Sequence, residues 1–151
     1  MDSEAKDLIE KLGLIPHVEE GWYRFMWSSD IVIPRDVLPE KYSGERKSAS
    51  LIYYLLEESS ASLWHKLHST EIWVWHSGGS LKMTLGGEGP RPRAEKELFL
   101  GPRYADGESF HIVVPAALWQ TAELVSGTYV LVSCIVSPAF HADDFILYKE
   151  D

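Results

Sequence analysis

Residues 62–79, "SLWHKLHSTEIWVWHSGG", decide the fold prediction because they hold two apolar runs that end at a glycine pair. The runs, 62–68 and 71–76, have the length of strands and are rich in tryptophan. Successive side chains of a strand point to opposite faces. His65 therefore shares the more apolar face of its strand with Leu63 and Leu67, and Glu71 shares that of its strand with Trp73 and Trp75. The stretch therefore predicts two adjacent strands that point a histidine and a glutamate towards an apolar interior.

Short apolar runs continue on both sides of this pair, and β-branched and aromatic residues dominate them. Proline, glycine and serine residues separate the runs, as they do at turns. About ten short runs with regular breaks predict an all-β sandwich or barrel. Besides the pair above, the runs are 22–27, 31–33, 50–56, 80–85, 96–100, 110–114, 118–125, 128–137 and 144–148.

A helical pattern is confined to the first thirteen residues. Ser3 has the residue type of an N-cap, Leu8 and Leu12 belong to an apolar stripe, and Gly13 is a natural stop. The 151 residues of the chain have the size of one domain, which can bury a core without cross-links. We therefore predict a single domain over 1–151 in which a short helix precedes the strands.

The composition limits which binding partners and which cellular compartment are expected. The net charge of −9 repels phosphate backbones and disfavours nucleic acid as a partner. No segment approaches the roughly 20 apolar residues of a membrane span, and the first residues lack the apolar region of a signal peptide. Cys134 is the only cysteine, so no disulfide forms within the chain. These features predict a cytoplasmic protein without membrane or nucleic-acid partners.

The spacing of polar residues in the opening stretch resembles the first motif of the cupin superfamily. That motif reads glycine, five residues, histidine, one residue, histidine, three or four residues, glutamate, six residues, glycine. His65, Glu71 and Gly78 keep this spacing. Ser59 stands in place of the leading glycine, and Leu67 replaces the second histidine. The match therefore retains one histidine and the glutamate of the motif.

The second cupin motif reads proline, any residue, glycine, two residues, histidine, and it is similar to "PAALWQ" at 115–120. Pro115 is kept, Ala117 stands in place of the glycine, and Gln120 stands in place of the histidine. Further segments resemble one cupin branch that is labelled as predicted sugar epimerases. They are "LIPHVEEGWYR" (14–24), "SASLIYYLL" (48–56), "WHKLHSTEIWVWHSGG" (64–79), "VVPAALWQTA" (113–122) and "CIVSPAFHADDFIL" (134–147).

The resemblance covers nearly the whole chain and implies an all-β double-stranded β-helix, or jelly roll. The implied organisation is an N-terminal helix at 1–13, N-terminal strands with a covering loop at 14–49, and the jelly roll at 50–148. Cupins commonly pair, so the resemblance also implies a homodimer. Glu20 replaces a glycine of the branch and Val74 replaces a histidine, which leaves open whether any activity of the branch is kept.

A metal centre is one interpretation of the site, since cupin metals are usually held by three histidines and a glutamate. Only His65 and Glu71 occupy such positions here, and Gln120 would be a weak oxygen ligand. His68 and His76 fall on the opposite strand faces and would need a bulge to reach the site. We therefore predict no metal cofactor, and we keep a metal-dependent cupin that uses His65, Glu71 and Gln120 as an alternative.

The resemblance to metal-free sugar-nucleotide epimerases of the cupin fold implies acid–base chemistry. Histidine titrates near neutral pH and can act as a base, and a neighbouring glutamate can orient it. Arginines of such a site bind anionic groups, and an aromatic ring can stack on a sugar. The implied catalytic residues are His65, Glu71 and Tyr53, and the implied substrate-binding residues are Arg24, Arg46, Trp73 and Gln120. Tyr53 is the candidate acid, and it is predicted to face the barrel interior together with Leu51 and Leu55.

The predicted function is binding of a small polar metabolite, sugar-like or anionic, inside the barrel, with epimerase or isomerase chemistry that needs no metal. Two alternatives stay open: a non-catalytic small-molecule-binding cupin, and the metal-dependent cupin. His65 could also be a buried core histidine that only hydrogen-bonds to Glu71. His17 is assigned a structural or surface role, and Trp119 is expected to face outward towards a partner subunit.

Overall fold

The computed structural model of the chain describes residues 2–58 and 60–150, so Ser59 of the motif comparison lies outside the described residues. Within them, one α-helix, α1 (Ser3–Leu12), precedes the strands. An all-β fold with a short N-terminal helix is therefore confirmed. The strands are β1 (Ile15–Pro16), β2 (Trp22–Ser28), β3 (Val32–Ile33), β4 (Arg46–Lys47), β5 (Ser50–Glu57), β6 (Ala61–Leu67), β7 (Thr70–Leu85), β8 (Lys96–Leu100), β9 (His111–Val114), β10 (Gln120–Ser137) and β11 (Phe145–Leu147).

Asp2 caps helix α1. Its carboxylate accepts hydrogen bonds from the backbone N–H groups of Glu4 (2.8 Å) and Ala5 (3.1 Å), which satisfies donors that a helix start leaves free. Gly13 ends the helix in the left-handed conformation with a φ of 67°, as predicted. The predicted cap at Ser3 was one residue late, since Ser3 is already helical. No helix in the described part of the chain is long and apolar enough to cross a membrane.

Two long strands, β7 and β10, run antiparallel along most of their lengths. Their register shifts around Ser126, where Gly79 and Gly127 meet. A Cβ atom on Gly79 would lie 1.7 Å from the carbonyl oxygen of Ser126, so only glycine allows this approach of the two backbones. The glycines therefore form a corner of the β7–β10 pair, and different strands lie beside the pair on the two sides of this corner.

The two halves of β10 pair with different strands. Residues 120–123 lie beside β6, whereas residues 129–136 lie beside β5. β7 likewise pairs with β8 at 81–85 and with β9 at 71–74. Within the described residues these strands, with β1, β2 and β11, form one nine-stranded sheet around an apolar core. The buried core residues are Tyr54, Leu56, Trp73, Leu81, Met83, Leu85, Leu100, Ile112, Val114, Ala122, Val130, Val132 and Cys134.

Strand β5 is apolar on both faces because both faces are covered. Tyr54 and Leu56 belong to the main core, whereas Leu55 packs with Ala5 in a second cluster beneath α1. Tyr53 packs against that second cluster. The prediction that Tyr53 faces the barrel interior was therefore wrong, since an apolar run without alternation does not indicate which face points inward.

Trp119 is buried within its own chain, with 2% of its surface exposed. Its indole N–H donates to the carbonyl oxygen of Gly89 at 2.7 Å. The Nζ atom of Lys66 lies 4.6 Å from its ring centroid, and the Tyr148 ring meets it edge-on at 5.7 Å. The expectation that this tryptophan faces a partner subunit was wrong, because β6, the loop after β7 and the residues after β11 cover it.

Candidate functional site

A cavity of about 200 Å³ lies among strands β2, β5, β6, β7 and β10. Its wall is mostly apolar and aromatic, and two imidazoles and two carboxyl groups interrupt it. Two of these, His65 and Glu71, come from the opening stretch, and the prediction that both point inward is confirmed. The lining residues are His17, Glu19, Tyr23, Phe25, Ser50, Ile52, His65, Leu67, Glu71, Cys134, Val136, Phe140 and Phe145.

A β-bulge in β6 orients His65. The register with β10 shifts between His65 and Ser62, which leaves one extra residue in β6. Leu63 is consequently 42% exposed while Ser62 is buried, so the prediction that Leu63 shares the face of His65 was wrong. The bulge directs the Leu63 backbone to the site, where its N–H donates to the Glu19 carbonyl oxygen (2.9 Å) and its carbonyl oxygen accepts from His65 Nδ1 (2.8 Å).

Glu19 is the direct partner of His65. Its Oε2 atom lies 3.1 Å from His65 Nδ1, and the Phe145 ring stacks on the imidazole at a centroid distance of 5.5 Å. Since the Leu63 carbonyl oxygen can only accept, Nδ1 carries a hydrogen, and in the neutral ring the lone pair lies on Nε2. The expected pairing of His65 with Glu71 is thus replaced by a pairing with Glu19.

A tight turn after β1 carries His17 and Glu19 to the cavity. The imidazole Nδ1 of His17 accepts from the backbone N–H of Glu19 (3.0 Å), and the backbone N–H of His17 donates to the Gly21 carbonyl oxygen (2.9 Å). Glu20 has a φ of 76°, which few residues other than glycine adopt. The Tyr54 hydroxyl donates to the Glu20 carbonyl oxygen at 2.5 Å. The turn is therefore held against its own strain by a contact from the core.

Neither residue of this turn was predicted to belong to the site. His17 was assigned a structural or surface role and Glu19 no role, yet both line the cavity. The available signal was the segment 14–24, which contains both residues and already belongs to the resemblance. The glycine that the pattern has at Glu20 agrees with the left-handed backbone found there.

Glu71 is held by two polar side chains of the core. The Trp73 indole N–H and the Gln120 amide both donate to Oε1, at 3.2 and 3.0 Å. Trp73 also donates to the Gln120 carbonyl oxygen at 3.0 Å. Both residues are 1% exposed, and neither lines the cavity. Predicted as substrate-binding residues, Trp73 and Gln120 instead position Glu71 from within the core.

Burial controls the charge of the two imidazoles and two carboxyl groups that line the cavity. It raises the pKa of Glu71 to about 7, although two hydrogen bonds oppose the rise. Burial, together with the neighbouring Glu71, raises the pKa of Glu19 well above its usual value. Burial also lowers the pKa of His65 and that of His17 to about 4. At neutral pH both imidazoles are therefore uncharged, and burial favours the protonated form of the two carboxyl groups.

The predicted arginines and tyrosine lie away from the cavity. Arg24 Nη1 donates to the Leu12 carbonyl oxygen at the end of α1 (2.9 Å), where carbonyl groups lack partners within the helix. Arg46 forms a buried salt bridge with Asp144 (2.8 Å). Tyr53 lies on the helix-facing side of β5. The structure therefore does not bring these three predicted residues to the cavity.

The residues at the cupin metal positions do not fit a metal ion. Leu67 offers no ligand atom, and the amide of Gln120 is engaged in hydrogen bonds on both ends. His68 lies beside Asp144 (3.4 Å) and His76 hydrogen-bonds to a side chain of β10, so neither lines the cavity. Within residues 2–58 and 60–150, no group of three or more histidine, cysteine or acidic side chains is arranged to hold a metal ion.

Replacing Glu71 by glutamine is expected to change how stability depends on pH. The folded protein raises the pKa of Glu71 from 4.5 to about 7. The protonated carboxyl group therefore contributes to the stability of the fold at low pH, and this contribution is lost as the pH rises. The free energy of unfolding of Glu71→Gln minus that of the wild type should therefore increase by up to about 3 kcal/mol between pH 4.5 and pH 7.

Urea unfolding at several pH values measures this difference. The lowered pKa values of His17 and His65 give the opposite trend, with stability lost as the pH falls, but that trend is common to both proteins and cancels. Glu97→Gln, which removes an exposed carboxyl group of β8, is the control. A difference between Glu71→Gln and wild type that stays constant with pH would contradict the prediction.

A sheet folded around one apolar core, with a histidine and a glutamate facing an internal cavity, defines a small β-barrel protein with a buried polar site. The model of the family described as "Cupin superfamily (DUF985)" matches residues 6–148, and the chain belongs to this family. None of the curated proteins matches the chain. The predicted superfamily is thus confirmed, while the epimerase-like branch stays a prediction.

Solved structures agree with this assignment. A hypothetical protein from Leishmania major is 29% identical, with a TM-score of 0.85 over 96% of this chain and 87% of its own. A protein from Shewanella oneidensis is 32% identical, with a TM-score of 0.81 over 96% of this chain and 84% of its own. A Klebsiella pneumoniae protein with a double-stranded β-helix domain is 10% identical, with a TM-score of 0.58 over 93% and 94%, and supports the fold alone. The jelly-roll prediction is confirmed.

Proposed function

We propose that the chain is a cupin that binds a small molecule in this cavity and moves protons on it without a metal, as an isomerase or epimerase does. The observation that carries the proposal is that a neutral histidine and a glutamate of raised pKa line the same cavity. Perturbed titratable groups that share a cavity are typical of acid–base sites.

His65 is suited to act as the base. Its Nδ1 atom is occupied by the Leu63 carbonyl oxygen and by Glu19, so Nε2 is the atom that can accept a proton. The low pKa keeps the ring unprotonated at neutral pH. When the ring takes up a proton, the carboxyl group of Glu19 at 3.1 Å can stabilise the imidazolium. Glu19 is therefore a positioning residue for the base.

Glu71 is suited to act as the acid, the role that the resemblance gave to Tyr53. Its pKa of about 7 leaves it partly protonated at neutral pH. Trp73 and Gln120 occupy Oε1, so Oε2 can carry the proton towards a ligand. His65 would take a proton from a carbon next to a carbonyl group while Glu71 protonates the carbonyl oxygen. The resulting enediol gives an isomer when His65 returns the proton to the former carbonyl carbon and Glu71 takes up the proton of the neighbouring hydroxyl group. Return of the proton to the opposite face of the original carbon gives an epimer.

The cavity limits the size of the ligand. Its volume of about 200 Å³ lies below the roughly 300–1,000 Å³ of typical pockets for drug-sized ligands. A compound of a few carbon atoms matches this volume better than a sugar nucleotide does. Since Arg24 and Arg46 are engaged elsewhere, the anionic ligand suggested by the resemblance would find neither of them in the cavity. A small polar molecule with a carbonyl group is the ligand class that we favour.

Solvent deuterium exchange tests the proposal. Small hydroxyketones and aminoketones are incubated with the protein in D₂O, and proton NMR follows the C–H signal next to the carbonyl group. We expect the wild type to accelerate its loss for at least one compound, and His65→Asn to slow that exchange by about 100-fold or more. Asparagine keeps a donor for the Leu63 carbonyl oxygen but removes the base. Glu97→Gln should exchange like the wild type.

Two results would count against catalysis. If the wild type accelerates exchange in none of the compounds, the catalytic proposal is wrong. If His65→Asn exchanges as fast as the wild type, His65 is not the base. Chemical-shift changes that reveal binding of a compound without exchange would instead support the non-catalytic small-molecule-binding cupin.

A further inference from the structure

We propose that the ligand of this cavity is a small organic cation, a protonated amine or a quaternary ammonium group attached to a short apolar body. The inference rests on the proposed function for the choice of cavity, and it concerns the charge of the ligand rather than the reaction. Three observations carry it: acidic groups without a counter-charge, a carboxylate oxygen without a donor, and a wall of aromatic rings.

The cavity holds two carboxyl groups and no fixed positive charge. Among the described residues that line it, Glu19 and Glu71 are acidic and none is lysine or arginine. Each of the two is only 6% exposed, and burial without a positive partner disfavours their charged forms and raises their pKa values. His17 and His65 are neutral and do not supply the charge. A cationic ligand would supply it, and the net charge of −9 attracts cations to the protein.

Glu71 keeps one oxygen for the ligand. The donors from Trp73 and Gln120 both bind Oε1. Among the described residues no group donates a hydrogen bond to Oε2, and Glu71 lines the cavity, so this oxygen is open to a donor of the ligand. When Glu71 is ionised, an ammonium group supplies both a donor and a compensating charge, and hydrogen bonds between charged groups are the stronger ones.

Aromatic rings form much of the wall around these acidic groups. Tyr23, Phe25, Phe140 and Phe145 line the cavity, and the rings of Phe140 and Phe145 are 6.2 Å apart. Phe25 and Phe140 are 57% and 47% exposed, so they form its rim. The face of an aromatic ring attracts a cation and also packs against hydrocarbon. The wall therefore suits an ammonium group with an apolar body.

An inorganic cation is the competing source of positive charge. A divalent metal ion needs several oxygen, nitrogen or sulfur ligands, and no suitable group of three side chains exists in the described residues. The rest of the wall is largely hydrocarbon, which offers none. The organic cation is therefore favoured, and displacement of an organic ammonium probe by an equal concentration of Zn²⁺ would overturn this choice.

Three probes with the same carbon frame separate charge from shape: isopentylammonium, isopentanol and isovalerate. Isothermal titration calorimetry at neutral pH and constant ionic strength measures their affinities. We expect the ammonium to bind at least about tenfold more tightly than the alcohol, and the carboxylate to bind most weakly. Equal binding of ammonium and alcohol, tighter binding of the carboxylate, or no ammonium binding at about 10 mM would overturn the proposal.

Glu71→Gln tests the origin of the preference because it keeps the shape and removes the charge. We expect it to reduce the ammonium-to-alcohol preference by about tenfold while the alcohol affinity, which reports an intact cavity, stays unchanged. Glu123→Gln, which alters an exposed pair with Lys82, is the matched control and should keep the preference. A Glu71→Gln protein that keeps the full preference would overturn the proposal.

The binding test and the exchange test can fail separately. Ammonium preference in a protein that exchanges no deuterium would leave this inference standing and contradict the proposed catalysis. Deuterium exchange in a protein that binds the alcohol as tightly as the ammonium would support the proposed catalysis and contradict the preference for a cation. Each result therefore decides one of the two proposals.

Discussion

Arg46→Met is expected to lower the free energy of unfolding by about 3–5 kcal/mol, because it leaves the buried carboxylate of Asp144 without its positive partner. Arg46 Nε and Nη2 donate to the two oxygens of that carboxylate at 2.9 and 2.8 Å. Both side chains are only 3% exposed. Urea unfolding at neutral pH measures the loss, and a loss below about 1 kcal/mol would contradict the prediction.

Two further variants identify the cause of that loss. Arg46→Met/Asp144→Leu removes both charges and should be at least about 2 kcal/mol more stable than Arg46→Met alone. Lys82→Met breaks an exposed ion pair with Glu123 (2.9 Å) and should cost far less than Arg46→Met. If the double variant is no more stable than the single one, lost packing rather than an unpaired charge explains the effect.

Gly79→Ala is expected to lower the free energy of unfolding by about 3 kcal/mol or more, since the added methyl group has no space. Its Cβ atom would lie 1.7 Å from the Ser126 carbonyl oxygen, and Gly127 occupies the other side of the same contact. The backbones of β7 and β10 would have to separate at the corner where their register shifts. Urea unfolding measures this loss as well.

Gly89→Ala is the matched control for the corner variant. The nearest atom that its Cβ would meet is the Arg91 carbonyl oxygen at 3.8 Å, an ordinary contact distance. The change in the free energy of unfolding should therefore stay within about 1 kcal/mol. Similar losses in the Gly79 and Gly89 variants would show that the corner tolerates a side chain, contrary to the prediction.

The faces of a strand could be predicted from sequence only where its two sides differ. In β7, alternation was enough to predict that Glu71 and Trp73 point inward, and both are buried. The same rule failed for Leu63, because an extra residue in β6 reverses the order of the faces. It failed for Tyr53 because a helix covers the outer side of β5. Alternation is a local signal, and neither the bulge nor the helix contact is local.

The residues of the candidate site could likewise be predicted only where a local pattern encodes them. His65 and Glu71 could be predicted because both lie in one motif with a fixed spacing. Glu19 reaches His65 through a contact between a turn and the bulge of another strand, and no local pattern encodes that contact. Arg46 was predicted to bind an anionic group of the substrate, since arginine binds such groups well. Its partner is Asp144 of the same chain, far along the sequence, rather than a ligand.

The cavity wall is completed by residues from the two ends of the described chain. The turn that carries His17 and Glu19 precedes nearly all of the strands, whereas Phe145 lies on the last one, and the rings of His17 and Phe145 are 6.5 Å apart. During synthesis on the ribosome, the early turn is therefore made well before β11, the strand that completes the wall. A ligand that needs the whole wall would bind only to chains that include β11, and its binding free energy would stabilise them over chains that lack this strand.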